Sequence, residues 1–310
     1  MSRAFVFPGQ GAQAIGMGRA LAEAYPVARE VFDEVDEALG EKLSDLIWSG
    51  EIETLTLTEN AQPALMATSM AAMRALEAEG VSVSSGVSVA GHSLGEYSAL
   101  AAAGAIGVAD AARLLRTRGK AMQEAVPVGE GAMAAVLGLD LAAVEEVAVD
   151  AAAGDVCEAA NDNHPAQVVV SGHKAAVERA VQIAKGKGAK RALLLPVSAP
   201  FHCALMAPAA KAMAAALEDV AISAPLVPVY ANVKAAPQTD PDTIRALLVQ
   251  QITSRVRWRE TILGMAADGV TEIWEVGAGK ALIGMVRRID KSVATRAAGT
   301  PEDVTAALAG

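Results

Sequence analysis

The stretch Val87-Ser88-Val89-Ala90-Gly91-His92-Ser93-Leu94-Gly95-Glu96 constrains this chain more than any other. Its β-branched run stops at Gly91, and from Leu94 onward the sequence turns alanine-rich and helix-forming. Gly91-His92-Ser93-Leu94-Gly95 is therefore G-x-S-x-G at a strand-to-helix turn, the setting that makes this pattern a nucleophile elbow. Two residues without a Cβ let strand and helix cross closely, so Ser93 can be held in a strained conformation with its hydroxyl outside the turn. The helix that follows directs its unpaired N–H groups and positive dipole end at that hydroxyl. A plainer reading of the same serine is a helix N-cap after a buried strand, a place serine favours.

With 310 residues the chain can bury a large core, and its length suggests about two domains. A hydrophobic content of 53%, much of it alanine, marks a compact, helix-rich protein. The net charge of −10 argues against a nucleic-acid partner. Cys157 and Cys203 lack metal-ligand spacing, and their pairing is not decided by the sequence. The apolar start, residues 4–7, stops at Pro8-Gly9, too short for a signal peptide, and no apolar run reaches transmembrane length. A soluble, cytoplasmic protein with no membrane association is expected.

Residues 4–7 read as a buried strand leading into Pro8-Gly9-Gln10-Gly11-Ala12-Gln13. Gly9, Gly11 and Ala14 satisfy G-x-G-x-x-A, but a dinucleotide site needs a second strand ending in an acidic residue about 20 positions on. Val27, Val31, Phe32, Val35 and Leu39 have helical spacing instead. The loop is better read as bringing the Gln10 N–H close to something negative. No G-x-x-x-x-G-K-[ST] is present. Thr58-Glu59-Asn60-Ala61-Gln62-Pro63 reads as a helix start with proline in the first turn, continuing to residue 78 with Met66, Met70 and Met73 at core spacing.

From Gly131 the pattern predicts strands at 132–137, 156–160, 167–170 and 192–197, with helices at 141–152 and 174–185. That is β-α-β-β-α-β, the split ferredoxin-like unit, inserted as residues 128–196 into a large domain formed by 1–127 and 197–310. Asn161-Asp162-Asn163-His164-Pro165 falls in the turn between its middle strands. Beyond the insertion, strands at 227–230 and 272–276 alternate with helices at 241–253 and 258–267, and a helix to about 289 precedes a short terminal pair. The large domain is thus α/β with a largely parallel sheet.

One helix, residues 109–126, holds an anomaly. Arg113, Arg116, Lys120 and Glu124 share a polar face, whereas Arg118 lies on the apolar stripe with Leu114, Leu115 and Met122. A guanidinium pointed at the core needs an anion, which it binds bidentately. An internal salt bridge or a snorkelling side chain accounts for it equally well. Gly119 beside it suggests a bend. An activated serine also needs a base. Of four histidines, His92 leaves the elbow in another direction, and His164 and His173 belong to loops of the insertion. His202, just after Pro200 at the head of a returning helix, is the best base by elimination.

In chain order, Phe7-Pro8-Gly9-Gln10-Gly11-Ala12-Gln13, Gln62-Pro63-Ala64-Leu65, Gly91-His92-Ser93-Leu94-Gly95-Glu96, Arg118-Gly119, Asn161-Asp162-Asn163, Phe201-His202 and Glu275-Val276-Gly277 match a known family. Over nearly its whole length the chain resembles the malonyl-CoA:acyl carrier protein transacylases and the acyltransferase domains of fatty-acid and polyketide synthases. The resemblance implies an α/β-hydrolase-like large domain with a ferredoxin-like small one. It implies Ser93 as nucleophile, His202 as general base and then acid, and the main-chain N–H groups of Gln10 and Leu94 as oxyanion hole. Arg118 becomes the clamp for the malonyl carboxylate, Gln251 lines the pocket, and a main-chain carbonyl rather than an aspartate orients His202. Catalysis would be ping-pong through malonyl-Ser93, from malonyl-CoA to the phosphopantetheine thiol of acyl carrier protein, with no cofactor or metal and a monomeric enzyme.

Phe201 departs from the small residue that often precedes the histidine in stand-alone bacterial enzymes. It resembles malonyl-type acyltransferase domains, where a ring crowds out an α-methyl branch. An acidic carrier would be repelled at long range by a net charge of −10, so docking must use local cations. Arg113, Arg116, Lys120, Arg255, Arg257, Arg287 and Arg288 are candidates, or ordinary solvated charges. Two rivals stand beside this reading: a serine esterase or thioesterase using the same elbow, and a nucleotide-dependent oxidoreductase built on Gly9-Gln10-Gly11.

Overall fold

The computed structural model describes residues 2–197 and 199–308. Among them ten strands run β1 (Arg3–Phe7), β2 (Ser88–Gly91), β3 (Gly131–Leu137), β4 (Cys157–His164), β5 (Gln167–His173), β6 (Arg191–Leu194), β7 (Val229–Ala231), β8 (Ala236–Gln238), β9 (Glu272–Val276) and β10 (Ala294–Ala298). The larger sheet has the order β10-β9-β1-β2-β7-β8, parallel throughout except for the edge strand β8. Helices cover both of its faces, which is why Ala4, Phe5, Val6 and Phe7 are all fully buried without alternation. The sequence-predicted α/β architecture is the one observed.

Where a dinucleotide fold would need its second strand, the helix Pro26–Leu39 packs Val31, Phe32 and Val35 into the core. The helix Thr58–Ala78 is buried along most of its length. Pro63 is its sixth residue and lies inside the helix rather than in its first turn. The N–H that proline lacks would have bonded the carbonyl four residues back. That carbonyl, on Glu59, accepts from Arg116 Nη1 at 2.8 Å instead. The neighbouring helix Val108–Glu124 is unbroken at Gly119. Glycine stands there for proximity: a Cβ would lie 2.5 Å from Glu59 Cα and 2.7 Å from the Thr58 carbonyl oxygen.

The second sheet is antiparallel with the order β4-β5-β3-β6. Period-two alternation divides its residues cleanly. Ala134, Val136, Val168 and Val170 face a small core with Val144, Val147 and Val177, from helices Leu141–Ala152 and Lys174–Gly186. Met133, Ala135 and Val169 join the main core on the other side. The Asn161–His164 run is not a turn but the extended end of β4, and the connection to β5 is only Pro165-Ala166. These residue types favour turns because their side chains bond locally. Here the bonds go across to the larger unit: Asp162 N–H donates to the Val256 carbonyl at 2.9 Å, and the Arg259 guanidinium holds the Asp162 carboxylate at 2.8–2.9 Å.

Glu275, prominent in the sequence motif, is buried and accepts the Leu282 and Ile283 N–H groups at 3.1 and 2.9 Å, so it caps the helix Ala281–Ile289. Its role is architectural. Because Gly119 meets backbone atoms, Gly119→Ala is expected to destabilise the protein by about 1–3 kcal/mol through overpacking. The midpoint of urea unfolding measures this, and an unchanged midpoint would refute the close-approach account.

Candidate active site

The elbow is built by steric necessity. A Cβ on Gly91 would lie 1.8 Å from the Gly95 carbonyl, and one on Gly95 would lie 2.3 Å from the Phe7 carbonyl oxygen. Any other residue at either position would force β2 and the helix Gly95–Ala102 apart. Ser93 sits between them at φ 54°, in the left-handed region that side chains avoid. Asn232, the residue after β7, clamps that conformation. Its Oδ1 accepts the Ser93 N–H at 2.7 Å and its Nδ2 donates to the Gly91 carbonyl at 2.7 Å.

Ser93 Oγ lies 2.7 Å from His202 Nε2, and His202 Nδ1 lies 2.9 Å from the Gln251 carbonyl oxygen. A carbonyl only accepts, so the proton is on Nδ1 and Nε2 is left to take the Ser93 proton. A main-chain carbonyl thus stands where a triad carboxylate would. His202 is buried and has φ 60°. Burial, aided by the nearby Arg118 charge, pushes its imidazolium down to about 3.

Arg118 projects from the helix Val108–Glu124 toward the same oxygen. It is 2% exposed; Nη1 donates to Gln62 Oε1 at 2.7 Å, and Nη2 to Gln251 Oε1 at 2.9 Å and Ser93 Oγ at 3.1 Å. None of these acceptors is a carboxylate. Gln62 Nε2 in turn donates to Thr58 Oγ1, which donates to Gln10 Oε1, each at 3.0 Å. The glycine loop and the guanidinium are thereby tied together.

These groups open on a cavity of about 420 Å³ lined also by Gln10, Leu94, Phe201, Met122 and Met133. Gly9 lets the loop lie against the elbow, since a Cβ there would be 2.6 Å from the His92 carbonyl oxygen. Among the described residues nothing accepts the main-chain N–H of Gln10 or Leu94. Ser93, His202, Arg118 and Gln251 are directly hydrogen-bonded, while Gln10, Leu94 and Phe201 share their cavity.

Asn232 escaped the sequence reading, and Glu96 entered it only as the end of a motif, with no role. Glu96 is buried, and its Oε2 accepts from Asn232 N at 2.9 Å and Gln251 Nε2 at 2.8 Å. Burial raises its carboxyl to about 7 against the pull of those bonds and of Arg118. His92 turns to Asn163, with Nε2 2.9 Å from Oδ1, and its ring centroid lies 5.6 Å from that of Trp258. Burial lowers its pKa. Cys157 and Cys203 are free and buried. Of the candidate docking cations, Arg113, Arg116, Arg255 and Arg257 pair with Asp110, Glu41, Glu145 and Glu260. Among the described residues no helix is long and apolar enough to cross a membrane.

Together these features define a class: an α/β protein whose serine stands on a nucleophile elbow, bonded to histidine and faced by a buried arginine. The chain belongs to the acyl transferase domain family, which matches residues 4–300. It is 48% identical to a malonyl CoA-acyl carrier protein transacylase of Escherichia coli K12, over 98% of each chain. It is 47% identical to the Bacillus subtilis 168 protein of that name, over 98% of this chain and 96% of that one. Its structure is similar to the acyl-carrier-protein-S-malonyltransferase of Bartonella henselae, 57% identical, with a TM-score of 0.97 over 100% and 99% of the two chains. A malonyl-transacylase in complex with a type II PKS acyl-carrier protein also has a TM-score of 0.97, at 42% identity over 100% and 99%.

The buried histidine gives stability a pH dependence of definite sign. Unfolded His202 binds a proton near pH 6.5 while folded His202 stays neutral to about 3, so stability is lost as pH falls from 6.5 toward 3. Glu96, raised in the fold, acts in the opposite sense between about 4.5 and 7. His202→Gln removes only the first effect. Between pH 7 and pH 5 its Tm is expected to fall less than that of the wild type, and an equal or larger fall would count against a neutral buried His202.

Proposed function

We propose that this protein transfers a malonyl group from coenzyme A to the phosphopantetheine thiol of an acyl carrier protein through a malonyl ester on Ser93. The observation that carries the reading is the Arg118 guanidinium, 3.1 Å from Ser93 Oγ and bonded only to neutral oxygens. A short acyl group bearing a free carboxylate supplies the missing anion at the distance where its thioester meets the serine. The names of the relatives, and the complex of one with its carrier, support the same substrate pair.

In the loading half-reaction His202 Nε2 takes the Ser93 proton as Oγ attacks the thioester carbon. The carbonyl electrons move onto oxygen, where the N–H groups of Gln10 and Leu94 would stabilise them; one such donor is worth on the order of 3 kcal/mol. Collapse breaks the C–S bond, and the imidazolium returns its proton to the departing thiolate. The carrier thiol then repeats the sequence on the ester, giving up its proton to His202 and leaving Ser93 free. The Gln251 carbonyl holds the ring in the tautomer that both halves need. The thioester brings its own activation, so these steps call on no cofactor. Residues 128–196 act as an inserted domain, roofing the cavity through Met133. The setting proposed for this reaction is cytoplasmic.

Three outcomes test this. Brief incubation with malonyl-CoA is expected to give a malonyl adduct by intact mass, absent in Ser93→Ala; release of free malonate without carrier, as fast as transfer, would favour a thioesterase. Arg118→Ala is expected to cost malonyl loading about 2–5 kcal/mol, the cost of unpairing a buried charge, and to spare acetyl. Equal losses on both substrates would remove the clamp. Phe201→Ala is expected to relax rejection of methylmalonyl-CoA by about 1–3 kcal/mol in direct competition, the worth of one methyl in an apolar pocket.

A further inference from the structure

Glu96 is the second residue of the helix after the elbow, 3% exposed, and no step of the reaction above uses it. A carboxylate in a first turn gains from the helix dipole, but solvent-facing geometry would serve that purpose. Burial with its specific partners calls for another account. A single oxygen, Oε2, accepts two N–H groups: the main chain of Asn232 at 2.9 Å and the side chain of Gln251 at 2.8 Å. Both donors belong to residues that hold reacting groups. Gln251 directs Oε1 to Arg118 Nη2 and its main-chain carbonyl to His202 Nδ1, each at 2.9 Å. Asn232 clamps the Ser93 N–H and the Gly91 carbonyl.

A side-chain amide can turn over, exchanging its oxygen and nitrogen. Turned over, Gln251 would set an NH₂ donor against the Arg118 guanidinium, also a donor, and the guanidinium would swing off its mark. Two acceptors, Glu96 Oε2 at 2.8 Å and the Ser93 carbonyl oxygen at 3.1 Å, take the N–H groups of Gln251 Nε2 and favour the orientation that points Oε1 at Arg118; Glu96 supplies the shorter bond. We propose that Glu96 is a positioning residue for acyl transfer, its one acceptor oxygen setting Gln251 and Asn232 and, through them, Arg118, His202 and the Ser93 elbow. The place of the oxygen matters and its charge does not, because a carboxyl accepts through Oε2 whether or not its other oxygen carries a proton. This inference rests on the malonyl-transfer reading.

Three variants separate place from charge. Glu96→Gln keeps length and acceptor while losing the charge. Glu96→Asp keeps the charge and draws the acceptor back by about 1.5 Å, one C–C bond. Glu96→Met keeps volume and removes the acceptor. Single-turnover loading of Ser93 by malonyl-CoA and by acetyl-CoA is followed by rapid quench and intact mass, on protein checked for folding by circular dichroism and titrated for active sites. A merely structural role lowers the active fraction and leaves the malonyl-to-acetyl rate ratio alone. Positioning lowers the ratio, since acetyl makes no use of the guanidinium and a displacement of about 1 Å can cost up to about 100-fold. The ratio is expected to fall about tenfold or more in whichever of the Asp and Met variants folds, and to return to within about threefold of wild type in the Gln variant. An unchanged ratio in folded Asp or Met protein, or a lost one in Gln, overturns the proposal; should neither of the first two fold, the Gln result decides alone. Wild-type protein that takes no malonyl would sink the transfer reading instead, a separate failure.

Discussion

A guanidinium buried among amide and hydroxyl oxygens is expensive to maintain, several kcal/mol by the usual cost of taking a charge out of water. The fold offsets part of that through Gln62 and Gln251, whose oxygens both point at Arg118, and through the Tyr97 ring, 5.9 Å from its charge centre. The buried Glu96 carboxyl, on the far side of the Gln251 amide, offsets a further part without bonding the guanidinium. The residual charge reaches in two directions. It prepares one end of the cavity for an anion, and it helps to keep His202 neutral. On the proposed assignment, a carboxylate that settled on Arg118 would remove that second influence and make His202 a stronger base when the right acyl group is in place. Substrate recognition and base strength would then be coupled through one positive charge.

Close approach of backbones is the second constraint. Gly9, Gly91, Gly95 and Gly119 all have negative φ or an ordinary conformation, and each stands where a Cβ would strike another segment. At Gly9, Gly91 and Gly95 the loop after β1, the elbow and its helix are pressed into one unit. At Gly119 the arginine helix is brought against the start of the helix bearing Gln62. Without that contact Arg118 Nη1 could not reach Gln62 Oε1 at 2.7 Å. These four glycines thus act by their size, whereas Gly11 at φ 104° and Gly277 at φ 126° supply positive φ, and among side-chain-bearing residues of the site the left-handed strain falls on Ser93 and His202.

Legibility in the sequence followed the range of the interactions. The elbow is local, and strand, glycines and helix former announce it within ten residues. Arg118 was visible because helical periodicity is local too, and a cation on an apolar stripe breaks it. His202 could be reached only by elimination, and its partner is a carbonyl, which every residue carries and no sequence pattern marks. Asn232 and Glu96 were silent for a related reason: an amide after a strand and an acid in a first turn are ordinary until the chain brings them together across 136 positions. Asn161–His164 misled in the opposite way. Turn-forming side chains were counted as turn, yet their bonds cross to Val256, Arg259 and His92, and the backbone stays extended. Short β8 carries too few residues to show a pattern.

The weak basicity of His202 also bears on why a thiol rather than water should receive the acyl group. A base weakened by burial takes a proton from a thiol, an acid of pKa about 8.5, far more readily than from water. Loading the serine has help that water would lack, because the elbow already holds Ser93 Oγ 2.7 Å from His202 Nε2. An incoming water has no such placement fixed for it. Pairing of Arg118 with the acyl carboxylate strengthens His202 somewhat, and the thiol, needing less from the base, gains first. On the proposed assignment, the electrostatics of the Ser-His pair thus favour transfer to a thiol over hydrolysis.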